Sequence, residues 1–239
     1  MIVYGRNPVR EALRGKRRVQ RVFATERAAR EVWLGGVETV VAEAWEIEER
    51  CGSPDHQGLC AEAGPYPYVE ADSLLDPPDA LVLALDEVQD PHNLGAVARV
   101  AESAGCAGVV LPERRSAEVT PAVCRASAGA VEHLAVARVG NLASWLQTAK
   151  ERESLWVYGA QAEAAVSYDR PDYRGRVVVV LGSEGRGLRP RVAETCDQLV
   201  ALPNRGQVGS LNVSTAAAAL VYGILHFRDE TLTGLHNGA

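Results

Sequence analysis

The stretch VVVVLGSEGRGL, residues 177–188, decides the fold class of this chain of 239 residues. Its leading apolar residues are typical of a strand buried on both faces, and the glycine-rich turn marks the end of that strand. Two other glycine-containing stretches follow apolar runs in the same way, DPHNLGAVAR at residues 90–99 and LPNRGQVGSLNVS at residues 202–214. Because helical patterns separate such runs, the sequence predicts an α/β fold with a mostly parallel sheet. Ligands bind at the carboxyl ends of the strands in such sheets.

Composition along the chain predicts two units joined by a linker. Proline and acidic residues concentrate in GPYPY (residues 64–68) and DPPD (residues 76–79), which favours a linker at residues 64–79. The first unit would then be residues 1–63 and the second unit residues 80–239. In the second unit we expect strands at residues 81–85, 108–111, 155–158 and 177–181, and helices at residues 93–104, 142–152 and 213–226.

The first unit is predicted to be a small α/β unit. Asn7 followed by Pro8 is typical of a capped helix start, and Gly15 is a suitable stop. A strand follows at residues 19–24, and Thr25 is expected to cap a second helix that ends near residue 35. The remaining elements are predicted at residues 37–41 (strand), 42–51 (helix) and 57–62 (strand).

Charge is unevenly distributed along the chain. The net charge is −6, but residues 1–30 contain nine basic and two acidic residues, whereas residues 31–90 contain one basic and fifteen acidic residues. A basic segment of this density is either a phosphate-binding surface or a solvated helix face. On the first interpretation, the candidate nucleic-acid-binding residues are Arg6, Arg10, Arg14, Arg17 and Arg18.

The cysteine and histidine patterns give no indication of a metal site. The five cysteines are scattered without a Cys-x-x-Cys pair, and the five histidines are isolated. This pattern argues against zinc and against a disulfide framework. With no signal peptide and no run of about 20 apolar residues, we expect a cytoplasmic protein with no membrane partner.

The first glycine-containing stretch places two polar side chains near a helix start. Asn93 is a natural helix cap, Gly95 allows close backbone approach to a ligand, and Arg99 follows on the same helix. Asn93 and Arg99 could both face a phosphate or a ribose. A capped helix with a surface arginine explains the same pattern without a ligand.

The other two stretches carry a carboxylate and a Ser-Leu-Asn triplet. Glu184 is the one carboxylate in the second stretch, whose glycine spacing fits neither the dinucleotide fingerprint nor a phosphate-binding P-loop. In the third stretch, Ser210 and Asn212 precede a helix and could either cap it or bind an anion or a carboxylate. Binding and capping are compatible.

In order and in residues, the three stretches resemble the motifs of SpoU-type RNA ribose 2′-O-methyltransferases of the SPOUT class. The resemblance covers roughly residues 80–228. It implies a site made by five residues, Asn93, Arg99, Glu184, Ser210 and Asn212. It also implies S-adenosylmethionine as the cofactor, and these residues as its pocket: Gly159, Ala160, Leu181, Gly182, Ala201, Leu202, Ser210 and Leu211.

The resemblance carries further implications for architecture and partners. It implies a C-terminal trefoil knot around the cofactor and a homodimer in which Asn93 and Arg99 lie beside the partner's cofactor. YGRNPVREAL (residues 4–13) and HQGLCAE (residues 56–62) resemble the L30e-like RNA-binding domain of enzymes that methylate a guanosine ribose in bacterial 23S ribosomal RNA. A tRNA guanosine 2′-O-methyltransferase and a non-catalytic RNA-binding protein are the alternatives, and a nucleotide-dependent dehydrogenase ranks last.

The proposed role of Arg99 depends on its charge. Family mechanisms make this arginine a base, but a guanidinium is not deprotonated in proteins under ordinary conditions. We therefore expect Arg99 to hold the 3′-phosphate and to stabilise the developing alkoxide, while Asn93 orients the ribose. Glu184, Ser210 and Asn212 would fix the geometry of the site.

Overall fold

The computed structural model describes residues 1–152, 154–207 and 209–232. Its strands are β1 (Ile2–Tyr4), β2 (Val19–Ala24), β3 (Thr39–Val41), β4 (Leu59–Ala63), β5 (Leu81–Asp86), β6 (Gly108–Pro112), β7 (Val136–Val139), β8 (Leu155–Ala160), β9 (Val166–Ser167), β10 (Arg176–Gly182) and β11 (Gln198–Ala201). Its helices are α1 (Arg6–Arg14), α2 (Ala44–Cys51), α3 (Pro91–Ser103), α4 (Pro121–Ala126), α5 (Leu142–Ala149), α6 (Pro190–Thr195) and α7 (Val213–Leu232).

A seven-stranded sheet forms the second unit, in the order β7-β6-β5-β10-β8-β11-β9. Every strand pair in it is parallel. The strands β5 and β10 are at its centre, with Val177 opposite Leu81 and Gly182 opposite Asp86. The prediction of an α/β fold with a mostly parallel sheet is therefore confirmed.

Side chains on alternate strand positions separate the core of the second unit into two layers. Leu83, Val179 and the residues two positions away from them on their strands pack against helices α3 and α7. Val82, Val178 and their neighbours pack against α5 and α6 on the opposite face. Because both faces are covered, the strands contain long runs of valine and leucine, and the loops at the carboxyl edge are left to form the site.

The first unit has a four-stranded sheet in the order β1-β4-β2-β3. Strand β4 is antiparallel to β1 and β2, whereas β3 is parallel to β2. Helix α2 packs on one face and buries its Ile47 against Phe23 and Cys60 of the sheet. Helix α1 packs on the other face and also contacts the 3-10 turn Ala130–Glu132 of the second unit.

Two predictions for the first unit were wrong in detail, and one short strand was missed. Helix α1 begins at Arg6 after Gly5, so Asn7 lies inside it and does not cap it. No long helix follows Thr25, because the chain there forms two separate 3-10 turns, Ala28–Arg30 and Val32–Leu34. Strand β1 was not predicted, since a three-residue strand is too short to show a period.

In the second unit, the predicted cap of helix α3 was wrong by three residues. The side chain of Asp90 accepts a hydrogen bond from the backbone of His92 at 2.9 Å, so Asp90 is the cap and Asn93 lies in the first turn. Asn93 is therefore free to make contacts away from the helix backbone. Gly95 does not face a ligand, because a Cβ at this position would lie 2.4 Å from the Cβ of Ala126 in α4.

The segment between the two units is packed against the second unit. Residue Val69 pairs with Ala137 beside the edge strand β7, and Leu74 and Leu75 of a 3-10 turn are buried. Within the described ranges, no helix is both long and apolar enough to cross a membrane. The trefoil knot and the likeness of the first unit to L30e stay predictions.

Candidate functional site

A cavity of about 680 Å³ opens at the carboxyl ends of β8, β10 and β11. This is the edge of a parallel sheet where the sequence predicts ligand-binding groups. Six of the eight predicted cofactor residues line the cavity: Ala160, Leu181, Gly182, Leu202, Ser210 and Leu211. Two of the three glycine-containing stretches, residues 177–188 and 202–214, thus share one concave surface with the end of β8.

The two other predicted cofactor residues, Gly159 and Ala201, do not line this cavity. A Cβ on Gly159 would lie 2.6 Å from the side chain of Leu199 and 2.9 Å from the sulfur of Cys196, so this glycine serves packing inside the fold. The carbonyl of Ala201 accepts a hydrogen bond from the backbone of Tyr168 at 2.9 Å. The contacts of Gly159 and Ala201 with the cofactor stay predictions, while the residue that follows each of them, Ala160 or Leu202, lines the cavity.

The turn after β10 folds back onto the end of its own strand. Ser183 accepts a hydrogen bond from the backbone of Gly187 at 2.9 Å, and Gly185 and Gly187 have φ angles of 75° and 67°. Glycine adopts such left-handed angles without a steric penalty. A Cβ on Gly182 would lie 2.1 Å from the carbonyl carbon of Gly187, so this close approach requires glycine.

Three polar side chains from the three stretches meet in one cluster. The Nδ2 of Asn93 donates to Oε1 of Glu184 at 3.1 Å, and the Nδ2 of Asn212 donates to Oδ1 of Asn93 at 3.0 Å. Asn212 also donates to Oε1 of Glu184. The three residues, separated by 91 and 28 positions along the chain, form the polar cluster of the site (Asn93, Glu184 and Asn212).

Asn212 also caps helix α7. Its Oδ1 accepts hydrogen bonds from the backbone nitrogen of Ser214 at 2.8 Å and from its hydroxyl at 2.6 Å. The capping and site roles of Asn212 are therefore combined in one side chain, as the sequence allowed. Ser210 is exposed and lines the 680 Å³ cavity.

A second cavity of about 250 Å³ adjoins the polar cluster. It shares Ser183, Glu184, Arg186 and Val213 with the larger cavity, so the two spaces meet at the turn after β10. Its other walls come from the end of β5 and the start of α3, including Glu87 and Asn93. Glu184 of the polar cluster therefore lies on the border between the two cavities, and Asn93 lines the smaller one.

Asp86 and Glu87 at the end of β5 were not predicted as site residues. Asp86 is fully buried and accepts hydrogen bonds from the backbone and the Nε of Arg189 at 2.8 Å and 2.7 Å. This hydrogen bonding to Asp86 raises the pKa of Arg189 above its ordinary value. Glu87 is nearly buried, has a φ of 60° and pairs with Arg115 at 3.3 Å. The sequence signal that could have identified them is the pair of adjacent carboxylates directly after the apolar run of β5.

Arg99 is not brought to the polar cluster of its own chain. It lies on helix α3, is exposed, and lines neither cavity. Six positions along a helix place it about 120° around the axis from Asn93. Within the described residues it makes no hydrogen bond or ion pair, so the prediction that both side chains face one ligand is not met within a single chain.

The five arginines predicted to bind RNA differ in their surroundings. Arg6, Arg10, Arg14 and Arg18 are at least partly exposed, and Arg6 pairs with Glu31 at 2.8 Å. Arg17 contradicts the prediction, because its side chain is only 1% exposed and is paired with Glu132. A guanidinium enclosed in this way cannot reach a phosphate in solution.

The chain matches two family models. Residues 80–222 match the SpoU rRNA methylase family, and residues 2–69 match the family described as RNA 2′-O ribose methyltransferase substrate binding. Among related proteins, YacO of Bacillus subtilis, assigned to the TrmH family of tRNA/rRNA methyltransferases, is 36% identical. That alignment covers 95% of this chain and 96% of YacO.

Solved structures agree with this assignment. An S-adenosylmethionine-bound rRNA methyltransferase from Sinorhizobium meliloti has a TM-score of 0.79 at 22% identity, covering 94% of this chain and 86% of its own. A TrmH/SpoU tRNA-modifying enzyme from A. aeolicus has a TM-score of 0.57 at 25% identity, covering 66% of this chain and 79% of its own. From the family match over most of its length and its carboxyl-edge site, this chain belongs to the SpoU rRNA methylase family.

Proposed function

We propose that this protein transfers a methyl group from S-adenosylmethionine to the ribose 2′-hydroxyl of a guanosine in 23S ribosomal RNA. As a SpoU-family protein, it is an S-adenosylmethionine-dependent RNA methyltransferase. The observation that carries the ribose 2′-hydroxyl as the methyl acceptor is the polar cluster, whose Glu184 lies at the border of the two cavities. Its place suits a group that must meet a cofactor on one side and a ribose on the other.

The larger cavity suits S-adenosylmethionine in size and in lining. Its volume falls within the range of about 300–1,000 Å³ that is typical of small-ligand sites. Apolar walls from residues such as Val200 and Leu202 fit an adenine ring, and Gln161 and Glu163 offer polar groups for hydroxyl and ammonium groups. When bound, the cofactor supplies an electrophilic methyl group on a sulfonium.

The polar cluster is suited to hold a ribose. Oε1 of Glu184 accepts from the amide groups of both asparagines, which fixes the orientation of Asn93 and Asn212. The amide and carboxylate groups of the cluster can bind ribose hydroxyls that enter the smaller cavity. Because the attacking hydroxyl must lie about 3 Å from the methyl carbon, such positioning supplies much of the rate. Ser210 would bind from the cofactor side.

Arg99 supports a homodimer with a shared site. It is an exposed cation outside both cavities of its own chain, and a second copy can bring it to the polar cluster. A guanidinium keeps its proton in proteins. Arg99 therefore serves as a charged donor to the 3′-phosphate and to the oxygen that becomes negative as the hydroxyl reacts.

Mixing two inactive variants tests the shared site. If Arg99→Ala and Glu184→Ala chains form mixed dimers at random, half of all dimers are mixed and each holds one intact site. The mixture should therefore recover about one quarter of the wild-type activity. Activity that stays at the level of the separate variants would place Arg99 and Glu184 in the same chain's site and contradict the proposal.

The choice of ribosomal RNA rests on the first unit. The match of residues 2–69 to a substrate-binding family and the exposed arginines of the basic stretch support an RNA contact there. The S. meliloti rRNA enzyme covers this region, whereas the A. aeolicus tRNA enzyme covers about two thirds of the chain. We infer that the enzyme acts in the cytoplasm, where ribosomal RNA is assembled.

Methyl transfer to two RNAs tests the substrate. Labelled S-adenosylmethionine is supplied with a 23S ribosomal RNA transcript or with unmodified tRNA, using wild type and Arg99→Ala. Label on a guanosine 2′-oxygen in the ribosomal RNA alone, lost in the variant, is the expected result. Label in tRNA alone would replace the proposed substrate, and label on a base atom would refute ribose chemistry.

A further inference from the structure

Arg17 joins the first unit to the second through a buried ion pair. Its Nε donates to Oε2 of Glu132 at 2.8 Å, and its Nη2 donates to Oε1 of the same carboxylate. The exposed fractions are 1% for the Arg17 side chain and 0% for that of Glu132. Arg17 lies between α1 and β2, whereas Glu132 ends the 3-10 turn Ala130–Glu132 before β7. The pair therefore spans 115 positions and both units.

The remaining donors of Arg17 are also occupied. Nη1 donates to the carbonyl of Gly64 at 3.4 Å and to the sulfur of Met1 at 3.2 Å, and Nη2 contacts the sulfur of Cys124 at 3.5 Å. The guanidinium carbon lies 5.8 Å from the centre of the Tyr66 ring. The guanidinium is thus in contact with the start of the chain, the linker and the second unit at once.

Neighbouring contacts fix the same junction. The hydroxyl of Tyr66 donates to the carbonyls of Leu134 at 2.6 Å and Val131 at 3.1 Å. At the edge of the junction, His133 pairs with Glu11 of helix α1 at 2.9 Å. The turn around Glu132 is therefore held between helix α1 and the linker, with the ion pair at its centre.

A buried ion pair is a poor source of stability but can fix an orientation. Desolvation offsets most of the attraction between the charges, and well-packed apolar residues often replace such a pair without loss of stability. The bidentate geometry of an arginine and a carboxylate, however, sets both distance and angle. A junction that needed only stability could have been built from apolar side chains.

We propose that Arg17 and Glu132 are positioning residues that set the orientation of the first unit relative to the methyl-transfer site. This inference rests on the proposed function, in which the first unit binds RNA and the polar cluster receives the ribose. RNA held by the exposed arginines of the first unit reaches the cluster only if the two units keep a fixed distance and angle. Arg17 then contributes to catalysis through this geometry and does not touch the RNA.

The double variant Arg17→Met/Glu132→Leu separates orientation from stability. It removes both charges together and fills the space with apolar side chains, so the melting temperature should stay at or above that of the wild type. With a 23S ribosomal RNA transcript that reaches both units, kcat/KM should fall about tenfold or more, because the RNA is presented at the wrong angle. With a short stem-loop around the target nucleotide, kcat/KM should stay within about twofold, since the first unit is not needed.

Arg18→Ala is the matched control. Arg18 is the exposed neighbour of Arg17, and its loss should weaken RNA binding and lower the salt dependence by about one phosphate contact. The double variant should leave that salt dependence unchanged. A double variant that methylates the long transcript at the wild-type rate would overturn the proposal. Equal losses on both RNAs, or a loss of cofactor affinity, would make the pair a structural support of the second unit instead.

Alkylation of Cys124 gives a readout that does not depend on methyl transfer. Its sulfur lies within 3.6 Å of Glu132 and 3.5 Å of Arg17, inside the junction. If the junction loosens in the double variant, iodoacetamide should label Cys124 faster while the melting temperature is kept. Unchanged labelling of Cys124 in the double variant would overturn the proposed positioning role of the ion pair, even if no RNA is methylated. A wild-type protein that methylates no RNA would refute only the proposed function.

Discussion

Replacing Gly182 by alanine should weaken cofactor binding strongly while leaving the sheet intact. The added Cβ would lie 2.1 Å from the carbonyl carbon and 2.3 Å from the carbonyl oxygen of Gly187, and 2.5 Å from the nitrogen of Leu188. Non-bonded carbon atoms settle at about 3.5–4.0 Å. The turn that folds back on the end of β10 must therefore move by more than about 1 Å.

This displacement has a predictable effect on affinity. Gly182 and its turn line the 680 Å³ cavity, so backbone groups that face the cofactor move with the turn. Weakening two or three hydrogen bonds by about 1 kcal/mol each amounts to about 2–3 kcal/mol. Calorimetric titration with S-adenosylmethionine should then show a rise in Kd of roughly 30- to 150-fold.

A glycine elsewhere on the same cavity provides the control. A Cβ on Gly206 would meet only the Oδ1 of Asn204 at 3.6 Å, which is an ordinary contact. Gly206→Ala should therefore change the Kd by no more than about threefold. The melting temperature of both variants should be measured to separate loss of the turn from loss of the fold. A Gly182→Ala variant with wild-type cofactor affinity would refute the assignment of this turn to the cofactor site.

Three further changes test the site, the junction and the core. Asn212→Asp places a second carboxylate against Glu184, so we expect kcat to fall roughly 100-fold at nearly unchanged cofactor affinity; an unchanged kcat in labelled-methyl transfer would contradict the role of the cluster. Burial acts to raise the pKa of Glu11, but the hydrogen bonds with His133 and Arg10 and the charges of Arg10 and Arg14 together outweigh it and hold the pKa below its ordinary value. The charged Glu11 side chain therefore stabilises the fold at pH values above the ordinary pKa of a glutamate, and this stabilisation is lost as the pH falls through the lowered pKa. Because Glu11→Gln has no such charge to lose, its melting temperature should fall less than that of the wild type between about pH 6 and about pH 3. Gly95→Ala should lower the free energy of unfolding by about 1–3 kcal/mol in chemical denaturation; a loss of cofactor affinity without a loss of stability would restore a ligand role to this glycine.

The sequence identified which loops make the site but not which atoms meet in it. Apolar runs followed by polar turns predicted that residues 90–99, 177–188 and 202–214 share one edge of a parallel sheet, because carboxyl ends of parallel strands must meet there. The contact between Asn93 and Glu184 could not be predicted, since it depends on strand order, which places β10 beside β5. Glu87 was missed for the same reason, because it lines the smaller cavity only through its position at the end of β5 beside β10.

Glycines show why local reasoning about ligand approach was only partly correct. Gly95 and Gly182 both lie in the glycine-containing stretches; the sequence pattern assigned Gly95 to ligand approach, and the family resemblance assigned Gly182 to the cofactor pocket. In the structure, Gly182 accommodates the returning turn at the cavity, whereas Gly95 accommodates helix α4. Close approach of backbone requires glycine in both places, but the identity of the approaching group is a property of tertiary packing that neighbouring residues do not encode.

The roles of Arg17 and Arg18 likewise depend on tertiary packing and not on the local sequence. The two arginines are adjacent and chemically identical, and the density of basic residues assigned both to RNA. Arg17 is enclosed by the second unit and paired with Glu132, while Arg18 is exposed to solvent. Glu132 lies more than a hundred positions away, so no local pattern distinguishes the two arginines. The basic stretch thus contains exposed side chains, such as Arg18, that can bind phosphates, and one buried side chain, Arg17, that sets where the RNA is presented. Variants at the two positions should therefore differ: loss of Arg18 should change the salt dependence of RNA binding, and loss of Arg17 together with Glu132 should change how methyl transfer depends on RNA length.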